Sequence, residues 1–296
     1  MFFVRSKTLR ILGLLAMISV FSNPSISAEN SPSSQASQLA QTVHIAVASN
    51  FTHTMKHLID EFEQQSLHRI KASYGSSGKI YAQIQHGAPF VLFFSADQSK
   101  PLALYEQGLT QTKPFTYALG SLALWSNSKQ VLQLLNIKTL KNTTPENKAL
   151  KNEKDVLTSG QFNKLALANP KLAPYGTAAM EVLEKLNLKA ATQSKWVMGE
   201  NIAQTYQFVS TGNAELGFVA LSQVIGKHSS ALKPPLSYWP VPEKLHQPIR
   251  QDAVYLTTPA SQQQNSHQAA TEFLKFMNTK KAQTIIQSYG YRTEKL

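Results

Sequence analysis

From Val43 onward, short apolar runs take turns with segments whose apolar residues recur at helical spacing, and this alternation limits the fold more than any single motif. Val43-His44-Ile45-Ala46-Val47-Ala48 reads as a strand, after which Met55, Leu58, Ile59 and Phe62 mark one helix face. Arg69 to Tyr74 is a second strand, Ile80 and Ile84 mark a short helix, and Val91 to Phe94 is a third strand running into Ser95-Ala96-Asp97. A strand returns parallel to its neighbour only through a crossover of a dozen or more residues, which the intervening helices supply. The pattern predicts an α/β fold: a mixed, mainly parallel sheet flanked by helices.

The rhythm is interrupted once. A helix around Pro101 to Gln107 and a strand at Ser121 to Ser126 lead into residues 128–160, heavy in Lys and Asn, which read as a solvated insertion. Beyond it the alternation resumes with strand Leu165 to Ala168, a helix carrying Ala179, Val182, Leu183 and Leu186, and another carrying Ile202, Tyr206 and Val209. Leu216 to Ala220 is a further strand, Asp252 to Thr257 runs back toward the first half, and Phe273, Phe276, Met277, Ile285 and Ile286 line closing helices. Two lobes follow, residues 43–120 with 255–296 and residues 121–254, joined by a hinge.

The first 28 residues differ from the rest. Arg5, Lys7 and Arg10 precede an apolar run from Ile11 to Phe21, and Ser25-Ile26-Ser27-Ala28 supplies small residues for cleavage, so the segment reads as a secretory signal peptide. The run is short of the roughly 20 residues that span a bilayer. Residues 29–42, rich in Ser, Gln and Asn, read as a flexible lead-in. The chain has no cysteine, which excludes disulfides, thiolate metal sites, Cys nucleophiles and a lipidated Cys at the cleavage point. Losing the leader takes the formal charge from +12 to +9. The basic residues are scattered or sit in polar loops, so this charge suits weak attraction of anions, or of a negatively charged membrane surface, better than nucleic-acid binding.

Tyr74-Gly75-Ser76-Ser77-Gly78-Lys79 lies between a strand and a helix, where small residues let a backbone approach a ligand and the first N–H groups of the helix point at it. Taken alone the hexapeptide reads as an ordinary capped turn. A P-loop would need Gly at Ser73 and Ser or Thr at Ile80, and a nucleophile elbow would need one more residue between the glycines. Three other helices start after a strand or turn in the same manner, at Ser49-Asn50, Tyr175-Gly176 and Asn201-Ile202. In open α/β sheets such starts gather at the carboxyl ends of strands, so the four could surround one cleft. Lys and Arg are missing from these points except at Lys79. Neutral N–H and O–H donors hold an anion that offers only acceptors, whereas phosphate near neutral pH often carries a proton that needs an acceptor.

These stretches also resemble the periplasmic molybdate-binding proteins that serve ABC importers, over most of residues 43–296. The resemblance is carried by Ala46-Val47-Ala48-Ser49-Asn50-Phe51, Tyr74 to Gly78, Gly87-Ala88-Pro89-Phe90, Ser95-Ala96-Asp97, Ala168-Asn169-Pro170, Pro174-Tyr175-Gly176 and Gly212 to Ser222. It implies a two-lobed, type II periplasmic-binding fold that closes over its ligand, no catalysis and no cofactor. By the resemblance, the oxyanion is held by the hydroxyl and main-chain N–H of Ser49 and of Ser77 and by the main-chain N–H groups of Tyr175 and Ile202. Asn50 matches an Asn that adds a donor in one branch, Ser76 is the near neighbour of Ser77, and Ala220 stands where another branch has a Tyr hydroxyl. The implied partners are a molybdate or tungstate oxyanion and the membrane permease subunits of an ABC importer, with the protein a periplasmic monomer. The other readings are a receptor for sulfate or another tetrahedral oxyanion, a secreted hydrolase using Ser77, and an accessory or adhesion protein using the basic insertion.

Two further features read as structural. His53 and His57 have i, i+4 spacing but no nearby acid to complete a metal site, and Tyr289-Gly290-Tyr291 reads as packing of the tail.

Overall fold

The computed structural model describes residues 40–128, 131, 157–158, 162–225, 237–262 and 264–294. The leader, nearly all of the lead-in and most of the Lys- and Asn-rich stretch at 128–160 lie outside the described residues.

The described strands form two five-stranded sheets. In the first the order is β2 (Arg69–Gly75), β1 (Thr42–Ala48), β3 (Leu92–Phe94), β10 (Ile249–Tyr255) and β4 (Phe115–Gly120). In the second it is β7 (Trp196–Gly199), β6 (Leu165–Ala168), β8 (Leu216–Ala220), β5 (Leu122–Ser126) and β9 (Ser237–Pro240). Each sheet has the same layout: three parallel neighbours, then one antiparallel strand, then a fifth strand paired antiparallel to that one. The antiparallel member is in both cases the strand that enters directly after a crossing between lobes, β5 after Gly120 and Ser121 and β10 after Gln247 and Pro248.

β10 belongs to the first sheet along its whole length, hydrogen-bonded to both β3 and β4. Residues 249–254 therefore belong with the first lobe, and the return crossing precedes Ile249 instead of falling at 254. The apolar reading began the strand at Asp252 because Arg250 and Gln251 break the hydrophobic run, yet Gln251 is fully buried. β4, β7 and β9 were not assigned from the sequence. β4 joins the sheet beside β10, and β7 and β9 are edge strands, β9 ending at Pro240 where an edge tolerates the missing N–H.

Helices cover both faces of each sheet, so the central strands are apolar throughout rather than alternating. In the first lobe α1 (Thr52–Glu63), α8 (Gln264–Met277) and α9 (Lys280–Ser288) pack on one face, and α2 (Ser77–Gln85) and α3 (Ser99–Glu106) on the other. Met55, Leu58, Ile59 and Phe62 of α1 form its buried stripe, and α9 is capped by the Thr279 hydroxyl, which accepts from Ala282 N–H. In the second lobe α4 (Pro174–Lys185) covers one face, and α6 (Ile202–Ser210) with the short α7 (Leu221–Ile225) covers the other. α5 (Lys189–Thr192) links α4 to β7. Ala48 and Ala96 of the first lobe lie in the core cluster of the second, so the lobes meet at the carboxyl ends of their strands. That meeting point holds the candidate site.

Candidate functional site

Every parallel strand ends at the interface between the lobes. β1 runs into the 3₁₀ turn Ser49–Phe51, β2 into Ser76 and Ser77, and β3 into Ser95 and Ala96. From the other lobe, β6 leads to Pro174 and Tyr175, β7 to Asn201 and Ile202, and β8 to Leu221 and Ser222. Ser49, Asn50, Ser76, Ser77, Tyr175 and Ile202 are all buried there. Ala48, Ala96, Ala173, Tyr175 and Ile202 fall in one packed cluster, which gathers three of the four helix starts, and the Ser77-Gly78 start joins them through hydrogen bonds to Ala96 and Leu172. Gly78 N–H, from the first lobe, donates to Leu172 O of the second at 2.9 Å.

The hydrogen bonds at these starts divide the first-turn N–H groups, which lack a carbonyl one turn earlier, into used and unused. Leu172 O takes Gly78, Ala173 O takes Gly176 and Thr177, and the Asn201 side-chain amide oxygen takes both Ala203 and Gln204 at 3.0 Å. Among the described residues, the N–H groups of Ser77, Lys79, Tyr175 and Ile202 remain without an acceptor at the front of their helices. The Ser77 hydroxyl accepts from Ala96 N–H at 2.9 Å, adding the end of β3 to the cluster, a neighbour that the reading of helix starts alone left out. The Ser76 hydroxyl is buried with no partner at all.

Asn50 departs from its expected role as an added side-chain donor. Its Nδ2 donates to Gln251 Oε1 at 2.9 Å and to the Tyr291 hydroxyl at 3.0 Å, so both amide hydrogens are already engaged within the protein. Gln251 in turn donates from Nε2 to the Tyr175 hydroxyl at 3.3 Å and accepts from the Tyr117 hydroxyl at 3.1 Å. Tyr291 donates to Asn50 O at 2.9 Å and shares a 2.9 Å bond with the Ser222 hydroxyl. Tyr291 is thus more than tail packing. Gly290, at φ +79°, turns the tail inward where a Cβ would strike Ile225 of the second lobe. Burial pushes the Tyr117 and Tyr175 phenols well above 10 and that of Tyr291 up to about 12, so all three are neutral hydroxyls at ordinary pH.

At Ala220, where a Tyr hydroxyl was the alternative, the side chain is buried and the N–H donates to Gln223 Oε1 at 2.9 Å. Gln223 Nε2 donates to Ile202 O at 3.1 Å, so this side chain ties the end of β8 to the start of α6.

The charged groups stand around this neutral centre. Lys79 pairs with Glu200 of the opposite lobe at 2.9 Å, with both side chains about half exposed, and Lys100 pairs with Asp97. A groove of ≈ 350 Å³ runs alongside, between Ala96–Lys100, Pro174, Thr177, Glu181 and Gln247–Arg250. It is more open than the buried cluster and shares Ala96 with it. Contrary to the sequence reading, an acid does lie beside His57, Glu61 at 3.9 Å one helical turn on, but among the described residues no group of three or more His, Asp or Glu is arranged to hold a metal ion. His44 meets the Ser73 hydroxyl at 2.8 Å.

Two lobes that present strand ends, helix starts and hydroxyls to one another across a neutral interface define a solute-binding protein in class. The chain matches the model for bacterial extracellular solute-binding proteins over residues 43–292 and belongs to that family. It is 43% identical over 255 residues to the molybdate-binding protein ModA of Azotobacter vinelandii, covering 85% of this chain and 90% of that one. It is 40% identical over 256 residues to ModA of Rhodobacter capsulatus, covering 86% and 90%. Its structure is similar to that of the Azotobacter vinelandii periplasmic molybdate-binding protein, with a TM-score of 0.71, 35% identity, and coverage of 85% of this chain and 99% of that one.

Proposed function

We propose that this protein captures molybdate or tungstate outside the cytoplasm and delivers it to an ABC importer. The observation that carries this is the convergence of Ser49, Ser77 and the free N–H groups of Ser77, Tyr175 and Ile202 on one buried, cation-free interface, in a chain 43% identical to a molybdate-binding protein. The oxyanion accepts from the hydroxyls of Ser49 and Ser77 and from the main-chain N–H groups of Ser49, Ser77, Tyr175 and Ile202. Helix dipoles and aligned amides supply the positive field without a buried countercharge. Asn50 contributes by holding the 3₁₀ turn in place, and Ser76 stands next to the ligand as a spare hydroxyl. No cofactor takes part.

Residues 1–28 direct the chain to the periplasm and are removed there. The mature protein acts as a monomer that docks on membrane permease subunits, and it does not meet nucleic acid.

Calorimetric titration with molybdate, tungstate, sulfate and phosphate tests the reading. Tight binding of the first two, weaker binding of sulfate and none of phosphate are expected. Equal affinity for sulfate and molybdate would replace the specific reading with a general oxyanion receptor, because cavity size separates the two ions when the donors are the same.

A further inference from the structure

Gln251 is fully buried, at the bulge where the register of β10 against β4 shifts, in the strand that brings the chain back from the second lobe. Its carboxamide is divided between the lobes. Oε1 accepts from Asn50 and from Tyr117, both of the first lobe, at 2.9 and 3.1 Å, while Nε2 reaches the Tyr175 hydroxyl of the second at 3.3 Å. Tyr175 is also a residue whose main-chain N–H is free at the front of α4, and Asn50 follows Ser49. Gly120, at the other crossing, completes the arrangement: a Cβ there would run into both the Tyr175 hydroxyl and Gln251 Nε2. One uncharged side chain thus joins the first-lobe turn to the second-lobe helix start and lies beside Gly120 of the first crossing.

We propose that Gln251 is a positioning residue that couples oxyanion capture to lobe closure, its amide holding the Tyr175 start against the Asn50 turn only while the lobes are together. The inference rests on the function proposed above. The bond from Nε2 to Tyr175 breaks whenever the lobes part, whereas the Oε1 bonds stay within the first lobe. Gln251 therefore acts on the lifetime of the closed complex and not on the encounter with ligand. Ser222 backs it from the second lobe, its hydroxyl lying 3.2 Å from Asn50 O and 2.9 Å from the Tyr291 hydroxyl, with one hydrogen to give to either.

Stopped-flow tryptophan fluorescence with molybdate, alongside calorimetry, separates these effects. Gln251→Met keeps the length of the side chain and removes its donor and acceptors. It is expected to raise the dissociation rate about tenfold or more while leaving the association rate within about twofold. Tyr175→Phe, which retains the main-chain N–H, is expected to speed dissociation in the same way, and the double variant to add little beyond either single one. Small-angle scattering should show less compaction on adding molybdate in Gln251→Met than in the parent. An unchanged dissociation rate in Gln251→Met, or fully additive effects in the double variant, overturns the coupling. If Gln251→Met does not fold, Tyr175→Phe carries the test alone, and a parent-like dissociation rate there overturns it too. Failure of the parent protein to bind any of the four oxyanions would instead remove the proposed function itself.

Discussion

Ser77 carries two roles that a hydroxyl can fill at once. It accepts from Ala96 N–H, which fixes its orientation, and its hydrogen is free to point at an anion. Replacing Ser77 or Ser49 with Ala should weaken molybdate binding by about 1.5–3 kcal/mol each, the range for a hydrogen bond to a charged group, as read by calorimetry. Ser76→Ala provides the contrast. Its hydroxyl is buried without a partner, so the ligand-free variant should be no less stable than the parent, and affinity should stay within about twofold. A loss as large as that of Ser77→Ala would assign the contact to Ser76. That Ser49 and Ser77 each open a helical segment after a strand was legible, because the apolar spacing changes there. The commitment of Asn50 was not, since its partners Gln251 and Tyr291 lie 201 and 241 residues away along the chain.

Helix starts are the elements on which the site depends, and α4 shows what holds one in place. Pro174 occupies the first turn, where its missing N–H is harmless, and Gly176 lies so close to β6 that a Cβ would meet the carbonyl of Ala168 and the nitrogen of Pro170. These are backbone atoms and cannot swing aside. Gly176→Ala should therefore destabilise the fold by about 1–3 kcal/mol, seen as a lower urea midpoint with an unchanged slope, and should displace the Tyr175 N–H. Long periodic elements such as α1 were readable because a buried stripe recurs in sequence as it does in space. β7 and β9 were not, being four-residue edge strands, and β10 was placed late because the polar Gln251 that interrupts its pattern is buried among hydrogen-bond partners distant in sequence.

Across the whole molecule, closure is held by neutral hydrogen bonds at the centre and by an exposed ion pair at the rim. Lys79 and Glu200 are each about half exposed, so their pair is worth at most about 1 kcal/mol and weakens with salt. Lys79→Ala should change molybdate affinity by less than about fivefold, with the remaining effect lost at high ionic strength. The buried phenols set a different limit. Tyr117, Tyr175 and Tyr291 keep their protons in the fold, while the same groups in the unfolded chain ionise near pH 10. Above that pH the unfolded state holds fewer protons than the native one. Stability is thus fully present below pH 10 and falls as pH rises toward 12, by up to about 1.4 kcal/mol per phenol per pH unit. Chemical denaturation at pH 8, 10 and 11 measures this, and phenylalanine at position 291 should reduce the fall.

The sequence by itself determined the α/β class, the two cores and the places where helices begin, because hydrophobic periodicity and capping are properties of neighbouring residues. Ser77 and Ile202 stand at such helix starts. Which donors remain free was decided only by the tertiary structure. Asn50 looks like a donor in sequence, but its hydrogens go to a strand and a tail that reach it from the far end of the chain. Likewise, the lobes face one another at their strand ends because two crossings exchange β5 and β10 between the sheets, and that pairing exists only once both sheets are formed.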